Sequence, residues 1–386
     1  MITKGQIVRR QQGQNPPGLL PLAPFASATR RAFLTGSLAS LLVANAGEIL
    51  AADEPISRIA FGSCAKQQLP QPIWNTISAT QPDVFLFLGD AIYGDWDGKQ
   101  VFIPTPETLK RDWDRLAAIQ EFRNFRASVP IMATWDNHDY GKHDGGAEFT
   151  LKEQSKRLFL DFFGEPENSD RRKRPGIYDA KIFGPEGKRV QIILLDTRTF
   201  KSPYIKDKRS KEEKAALNIR GQYLPNRDLR ATLLGEAQWA WLERELRKPA
   251  DVRLIASSTQ VIADEKAMEE WGNFPLERKR LFDVIAKTGA KGVVLLSGNV
   301  HFAEISASDE GPYPIRDFTS SGMTHNNPEY SMLNNKRRVA GPFTKFNFGL
   351  VEIDWDARPA PSIALKAIGA DGLVAFQEIF SLERLG

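Results

Sequence analysis

Cysteine and histidine are scarce in this chain, which has one of the former and four of the latter in 386 residues. A lone Cys64 excludes an intrachain disulfide. Long apolar runs are missing as well. The stretch from Gly36 to Ala46 is too short to span a bilayer comfortably, and no later segment reads as a transmembrane span. A basic surplus is lacking once the N-terminus is set aside. Lys4, Arg9, Arg10, Arg30 and Arg31 against Glu48 account for the whole formal charge of +4. The near-neutral remainder has no electrostatic footprint for nucleic acid, so no nucleic-acid binding is expected. The run Arg171–Arg174 reads as a solvated surface loop. Apolar residues are plentiful, at 41% of the chain with 10% aromatic, which suffices for a sizeable core.

Thr29-Arg30-Arg31-Ala32-Phe33-Leu34 precedes the apolar stretch, and small residues at Ala44/Ala46 and Leu50-Ala51-Ala52 offer cleavage sites. Paired arginines before Phe-Leu match a twin-arginine signal. Residues 1–52 are therefore expected to be a leader read by the twin-arginine export machinery, with the protein periplasmic or secreted. Residues 53–386 are read as one catalytic domain.

β-branched apolar runs recur at 58–62, 84–88, 130–134, 190–195, 252–257 and 292–297. Helical patterns over 151–163, 236–247 and 276–287 lie between several of them. The alternation predicts an α/β fold with a largely parallel core. After residue 300 meander-like strands follow without helices, forming a second sheet or widening the first. Residues 165–176 and 199–231 read as excursions, the latter as a charged lid or insertion.

The scarce residues are not scattered. Cys64 ends Arg58–Cys64, Gly89-Asp90-Ala91-Ile92-Tyr93 follows Val84–Leu88, and Trp135-Asp136-Asn137-His138-Asp139 follows Pro130–Thr134. Ser297-Gly298-Asn299-Val300-His301 follows a fourth run. Loops beyond the carboxyl ends of sheet strands share one crevice, which argues for a metal-dependent hydrolase. Cys64 reads either as a small buried hydrophobe or as a thiolate ligand. Asn137 offers an oxygen to a hard cation. His138 reads as a general acid, with Asp139 orienting its ring. Asn299 and His301, two apart in an extended segment, reach one place. His143 and His325 are read as bystanders, His325 lining the pocket mouth.

In order, Gly62-Ser63-Cys64, Leu88-Gly89-Asp90-Ala91-Ile92-Tyr93, Trp135-Asp136-Asn137-His138-Asp139, Leu195-Asp196-Thr197-Arg198 and Ser297-Gly298-Asn299-Val300-His301 resemble the motifs of PhoD-like alkaline phosphatases. That family is a branch of the calcineurin-like metallophosphoesterases. The resemblance implies a four-layer α/β/β/α sandwich and a two-metal site, iron(III) plus calcium or another divalent cation. It implies Cys64, Asp90, Tyr93 and His301 as ligands of the first metal. Asp90, Asn137 and Asn299 would hold the second, with Gln260 a weaker candidate. His138 would be the leaving-group acid.

The chain departs from the family where Asn299 and Asn137 replace acidic residues, so a second divalent cation should bind more weakly. The expected activity is hydrolysis of a phosphate ester, monoester or diester, by a metal-activated water. Arg198 would steady phosphate charge, or else pair with Asp196. The rivals are a phospholipase-D-like phosphodiesterase on lipid headgroups and a one-metal protein that binds a phospho-ligand without hydrolysis.

Overall fold

The computed structural model describes residues 54–386, and the expected leader lies outside the described residues. Among the described residues fifteen strands run in chain order: β1 (Arg58–Gly62), β2 (Val84–Leu88), β3 (Ile131–Thr134), β4 (Asp179–Phe183), β5 (Val190–Leu194), β6 (Ile205–Lys206), β7 (Tyr223–Leu224), β8 (Val252–Ala256), β9 (Val293–Ser297), β10 (Ala303–Ser308), β11 (Ile315–Ser320), β12 (Arg338–Phe343), β13 (Asn347–Asp354), β14 (Ser362–Gly369) and β15 (Val374–Ser381). One sheet has the order β15-β14-β13-β1-β2-β3, the other β12-β10-β11-β9-β8-β5-β4, and β6 and β7 make a small hairpin. β1, β2 and β3 pair in parallel, as do β5, β8, β9 and β11.

The period of two along each strand sorts side chains into layers. Ile59, Phe61, Leu86 and Leu88 of the first sheet meet Ile192, Leu194, Leu254 and Leu296 of the second in one buried cluster. The alternate residues Ala60, Phe85 and Phe87 face outward, where they pack with Trp74, Leu109, Trp113 and Phe125 of the helices Ile73–Ala79, Pro106–Ala118 and Gln120–Arg126. On the far side Ile193, Ile255 and Leu295 pack with Trp239, Leu242 and Leu281 of the helices Gly235–Leu246 and Pro275–Thr288. Helix, sheet, sheet, helix is thus the layer order.

The C-terminal meander divides between the sheets: β10 and β12 extend the second, while β13 to β15 extend the first. Two expectations need correcting. The basic run 171–174 is not a solvated loop, because buried Arg171 donates to the carbonyls of Ala133 (2.7 Å) and Ile177 (2.6 Å). The helices within 106–126 were not expected at all. No helix among the described residues is long and apolar enough to cross a membrane.

Candidate metal centre

The four loops beyond β1, β2, β3 and β9 converge with the one beyond β11. Each is tightly turned. Cys64 (φ 63°), Asp90 (φ 54°), Asn299 (φ 71°) and His301 (φ 63°) all sit in the left-handed region, which costs a non-glycine residue of order 1 kcal/mol or more. The fold tolerates this strain because the loops are bonded to each other. The Cys64 amide donates to the Gly89 carbonyl (3.3 Å) and that of Ala65 to the Asp90 carbonyl (2.9 Å). Gly89 has φ 94°, and a Cβ there would stand 2.4 Å from that of Asp136, so glycine is what lets the two loops touch.

Candidate ligand atoms of Cys64, Asp90 and His301 lie within 4.8 Å of one another. Cys64 Sγ is 3.3 Å from Asp90 Oδ2, and the Tyr93 hydroxyl is 3.5 Å from His301 Nε2. Burial, and then the Asp90 charge, push the Cys64 thiol well above its usual range. Burial pushes Tyr93 up likewise, and it holds His301 neutral, at about 3. A thiol, a phenol, a carboxyl and an imidazole packed together are short of positive charge, and a cation would supply it. The donor set therefore fits a metal ion.

Asp90 has its second oxygen turned the other way, where Oδ1 accepts from the His138 amide (3.3 Å). Asn137 borders that side, its Oδ1 accepting from the same His138 amide (3.0 Å). Asn137 Nδ2 is 3.3 Å from His143 Nδ1, and Asn299 donates to Glu269 Oε2 (3.3 Å). Glu269 in turn stays ionised: burial opposes its charge, but Arg198 holds its carboxyl at about 2.

His138 Nδ1 lies 2.5 Å from Asp95 Oδ1, and its ring stacks on Tyr93 with centroids 4.1 Å apart. Burial works against a charged imidazole, but Asp90 and the bond to Asp95 outweigh it and raise His138 to about 9. Asp139, expected to orient this ring, does not touch it. It accepts instead from the Ile92 (2.9 Å) and Asp136 (3.1 Å) amides. Adjacent residues of the helical turn Asn137–Tyr140 point about 100° apart, so Asp139 turns back onto its own loop. Arg198 also departs from expectation. It is fully buried, with Nε donating to Asp136 Oδ1 (2.7 Å) and Nη1 to Glu269 Oε1 (2.5 Å), so its guanidinium faces carboxylates rather than the crevice. Asp196 receives only its backbone amide (2.9 Å). Gln260 points into another buried network, accepting from Lys266 (2.9 Å) and donating to Glu304 (2.8 Å).

A family model described as PhoD-like phosphatase matches residues 59–357. The chain belongs to this family. It is 21% identical over 282 residues to alkaline phosphatase D of Bacillus subtilis (strain 168), covering 65% of this chain and 46% of that protein. The chain thus spans about half the length of this curated relative. A solved structure of PhoD superposes with a TM-score of 0.61 at 16% identity, covering 86% of this chain and 73% of the other. Purple acid phosphatase PPD1 from yellow lupin (Lupinus luteus) seeds superposes with a TM-score of 0.57 at 13% identity, covering 86% and 54%. The fold is that of the metallophosphoesterases, and family membership implies metal ions.

Several neighbours of this centre read as bystanders in the sequence, as His325 and His143 do, or are not singled out by it, as Ser321 and Asp95 are not. His325 has its Nε2 2.9 Å from the Tyr93 hydroxyl and 3.3 Å from His301 Nε2. Ser321 Oγ is 3.1 Å from Cys64 Sγ. Asp95 and His143 stand beside His138. The signal for Asp95 was present: it lies five residues after Asp90 in the same loop.

Proposed function

We propose that this protein is a metal-dependent phosphoesterase that hydrolyses phosphate esters in the crevice above β1, β2, β3 and β9. The observation that carries the reading is the convergence of Cys64, Asp90 and His301 within 4.8 Å beside a His138 whose ring is backed by Asp95. Cys64, Asp90, Tyr93 and His301 would hold one ion; a thiolate–phenolate–imidazole–carboxylate set suits ferric iron. Asp90, Asn137 and Asn299 would hold a hard cation such as calcium through oxygen. When bound, the ions supply charge to the phosphoryl oxygens and ease ionisation of the attacking water.

The chain's own groups do the rest. His138 Nε2 carries the proton that the departing alkoxide needs, because Asp95 fixes Nδ1 as the other donor and holds the ring in place. Asn299 is held by its bond to Glu269 rather than free in solvent. The twin-arginine leader would place this activity outside the cytoplasm. Diester and monoester chemistry, including action on lipid headgroups, share this site.

Metal-replete protein assayed on 4-nitrophenyl phosphate and bis(4-nitrophenyl) phosphate tests the reading. Turnover of either, lost in Asp90→Ala, supports it. No turnover with any divalent or ferric metal would sink it, and the ratio of the two rates sets the ester preference.

A further inference from the structure

A groove of about 840 Å³ lies between the turn after Cys64 and the helix Pro106–Ala118. Gln67, Trp96, Phe102, Arg111 and Arg115 line it. Its floor is the back of the Tyr93 turn: Gln67 Oε1 accepts from the Tyr93 amide (2.8 Å), and the Trp96 amide donates to the Tyr93 carbonyl (3.3 Å). Trp96 follows Asp95, the residue that holds His138. The support of the acid and one wall of the groove are therefore built on one segment.

The walls have a definite chemistry. Trp96 and Phe102 offer ring faces, on which planar rings stack. Arg111 and Arg115 are half exposed and share a single buried carboxylate, Asp112, at 3.2 and 2.8 Å, which leaves positive charge and unused N–H donors facing the groove. Asp97 also lines it, and the Lys99 and Gln100 amides on its Oδ1 (both 2.8 Å) keep it ionised, so the groove sets two guanidiniums against one carboxylate. Beside the groove the Lys66 ammonium stands 5.0 Å from the Tyr93 ring and 5.7 Å from the Trp96 ring, with no carboxylate paired to it among the described residues. Lys66, Arg111 and Arg115 thus put positive charge around an aromatic groove that backs onto the Tyr93 turn. A cavity of this size accommodates a group as large as a nucleotide.

We propose that this groove is the leaving-group subsite, and that it takes an alcohol half carrying a planar ring and an anionic group, as a nucleotide does. The proposal rests on the phosphoesterase reading for its reaction but not for its binding. Once the ester P–O bond is cleaved by water and His138 has protonated the departing oxygen, the released half is itself a nucleoside monophosphate. Its phosphate would meet Arg111 and Arg115 by the bidentate contacts that guanidinium makes.

Isothermal titration with adenosine 5′-monophosphate, adenosine and inorganic phosphate tests it on the wild type and on Asp90→Ala. The nucleotide is expected to bind at least tenfold more tightly than either fragment, in both proteins. The double variant Arg111→Gln/Arg115→Gln should weaken it tenfold or more. Trp96→Ala should do so as well, and that change leaves the Asp112 pairing intact. In turnover, the ratio of kcat/KM for a 5′-phosphorylated dinucleotide over bis(4-nitrophenyl) phosphate should fall at least tenfold in the same variants. Nucleotide binding no tighter than that of its fragments, or indifferent to all three substitutions, overturns the proposal. Arginine-dependent nucleotide binding without turnover of any ester upholds the groove and rejects the phosphoesterase reading instead.

Discussion

Replacing Asp95 by Asn keeps the shape of the buried contact to His138 and removes its charge. In the fold, Asp95 is fully buried and its Oδ1 lies 2.5 Å from Nδ1 of the imidazole. A hydrogen bond to a charged partner contributes about 1.5–3 kcal/mol, which at about 1.4 kcal/mol per decade is roughly 10–150-fold in rate. The whole effect of a general acid, about 10²–10⁴-fold, sets the ceiling. The loss should depend on the leaving group. An alkyl phosphate departs as a basic alkoxide and needs the proton; 4-nitrophenolate does not. Asp95→Asn is therefore expected to lower kcat some 10–100-fold on an alkyl ester and less than about threefold on a 4-nitrophenyl ester. The assay is a paired measurement of kcat and KM on the two esters with metal content determined in parallel. Equal losses on both, or none on either, would refute His138 as the acid and Asp95 as its support.

Two further outcomes follow from buried charges away from the crevice. Arg198→Met strands Asp136 and Glu269, so stability in a denaturant titration should fall by about 3–5 kcal/mol; an unchanged midpoint with a raised KM would instead return Arg198 to substrate binding. Glu270 is buried, with Oε2 unpartnered, and burial raises its carboxyl to about 8. A carboxyl raised in the fold costs stability as pH climbs from its unfolded value near 4.3 towards 8, because the unfolded chain ionises first. Glu270→Gln should therefore stabilise the protein over wild type by an amount that grows between pH 5 and 8, by about 4 kcal/mol over that range. A difference in melting free energy that stays flat over that range contradicts this assignment.

The parallel core could be read from the chain because Val84–Leu88 and Val293–Ser297 are fully buried on both faces, and such strands read as unbroken apolar runs. Their ends were equally readable, since Gly89 and Gly298 mark where each strand turns. That is why the loops carrying Cys64, Asp90 and His301 could be aimed at one crevice from the chain alone, while the four-residue set with Tyr93 rested on the resemblance to the PhoD-like phosphatases. The partition of the C-terminal meander could not be read, because strands consecutive in sequence such as β12 and β13 carry no signal for which sheet they join. The partners of charged residues were hidden for a related reason. Arg198 meets Asp136 and Glu269 across 62 and 71 residues, and local spacing pointed only to Asp196. Choosing Asp139 over Asp95 was the same error at short range: the neighbour in sequence lies on the wrong side of a helical turn. The weak second site also looks different in three dimensions. Neutral Asn299 is bonded to Glu269, a carboxylate that is itself paired with Arg198.

Metal analysis of the purified protein, paired with its visible absorption spectrum, tests the central claim most directly. At least one tightly held ion per chain is expected, with a thiolate- or phenolate-to-metal charge-transfer band if that ion is ferric. Cys64→Ser and Tyr93→Phe should each shift or abolish the band, and Asp90→Ala should lower the metal content together with turnover. Ester hydrolysis by metal-free protein, or a metal content that Asp90→Ala and Cys64→Ser leave untouched, would contradict the assignment of these residues to a metal centre.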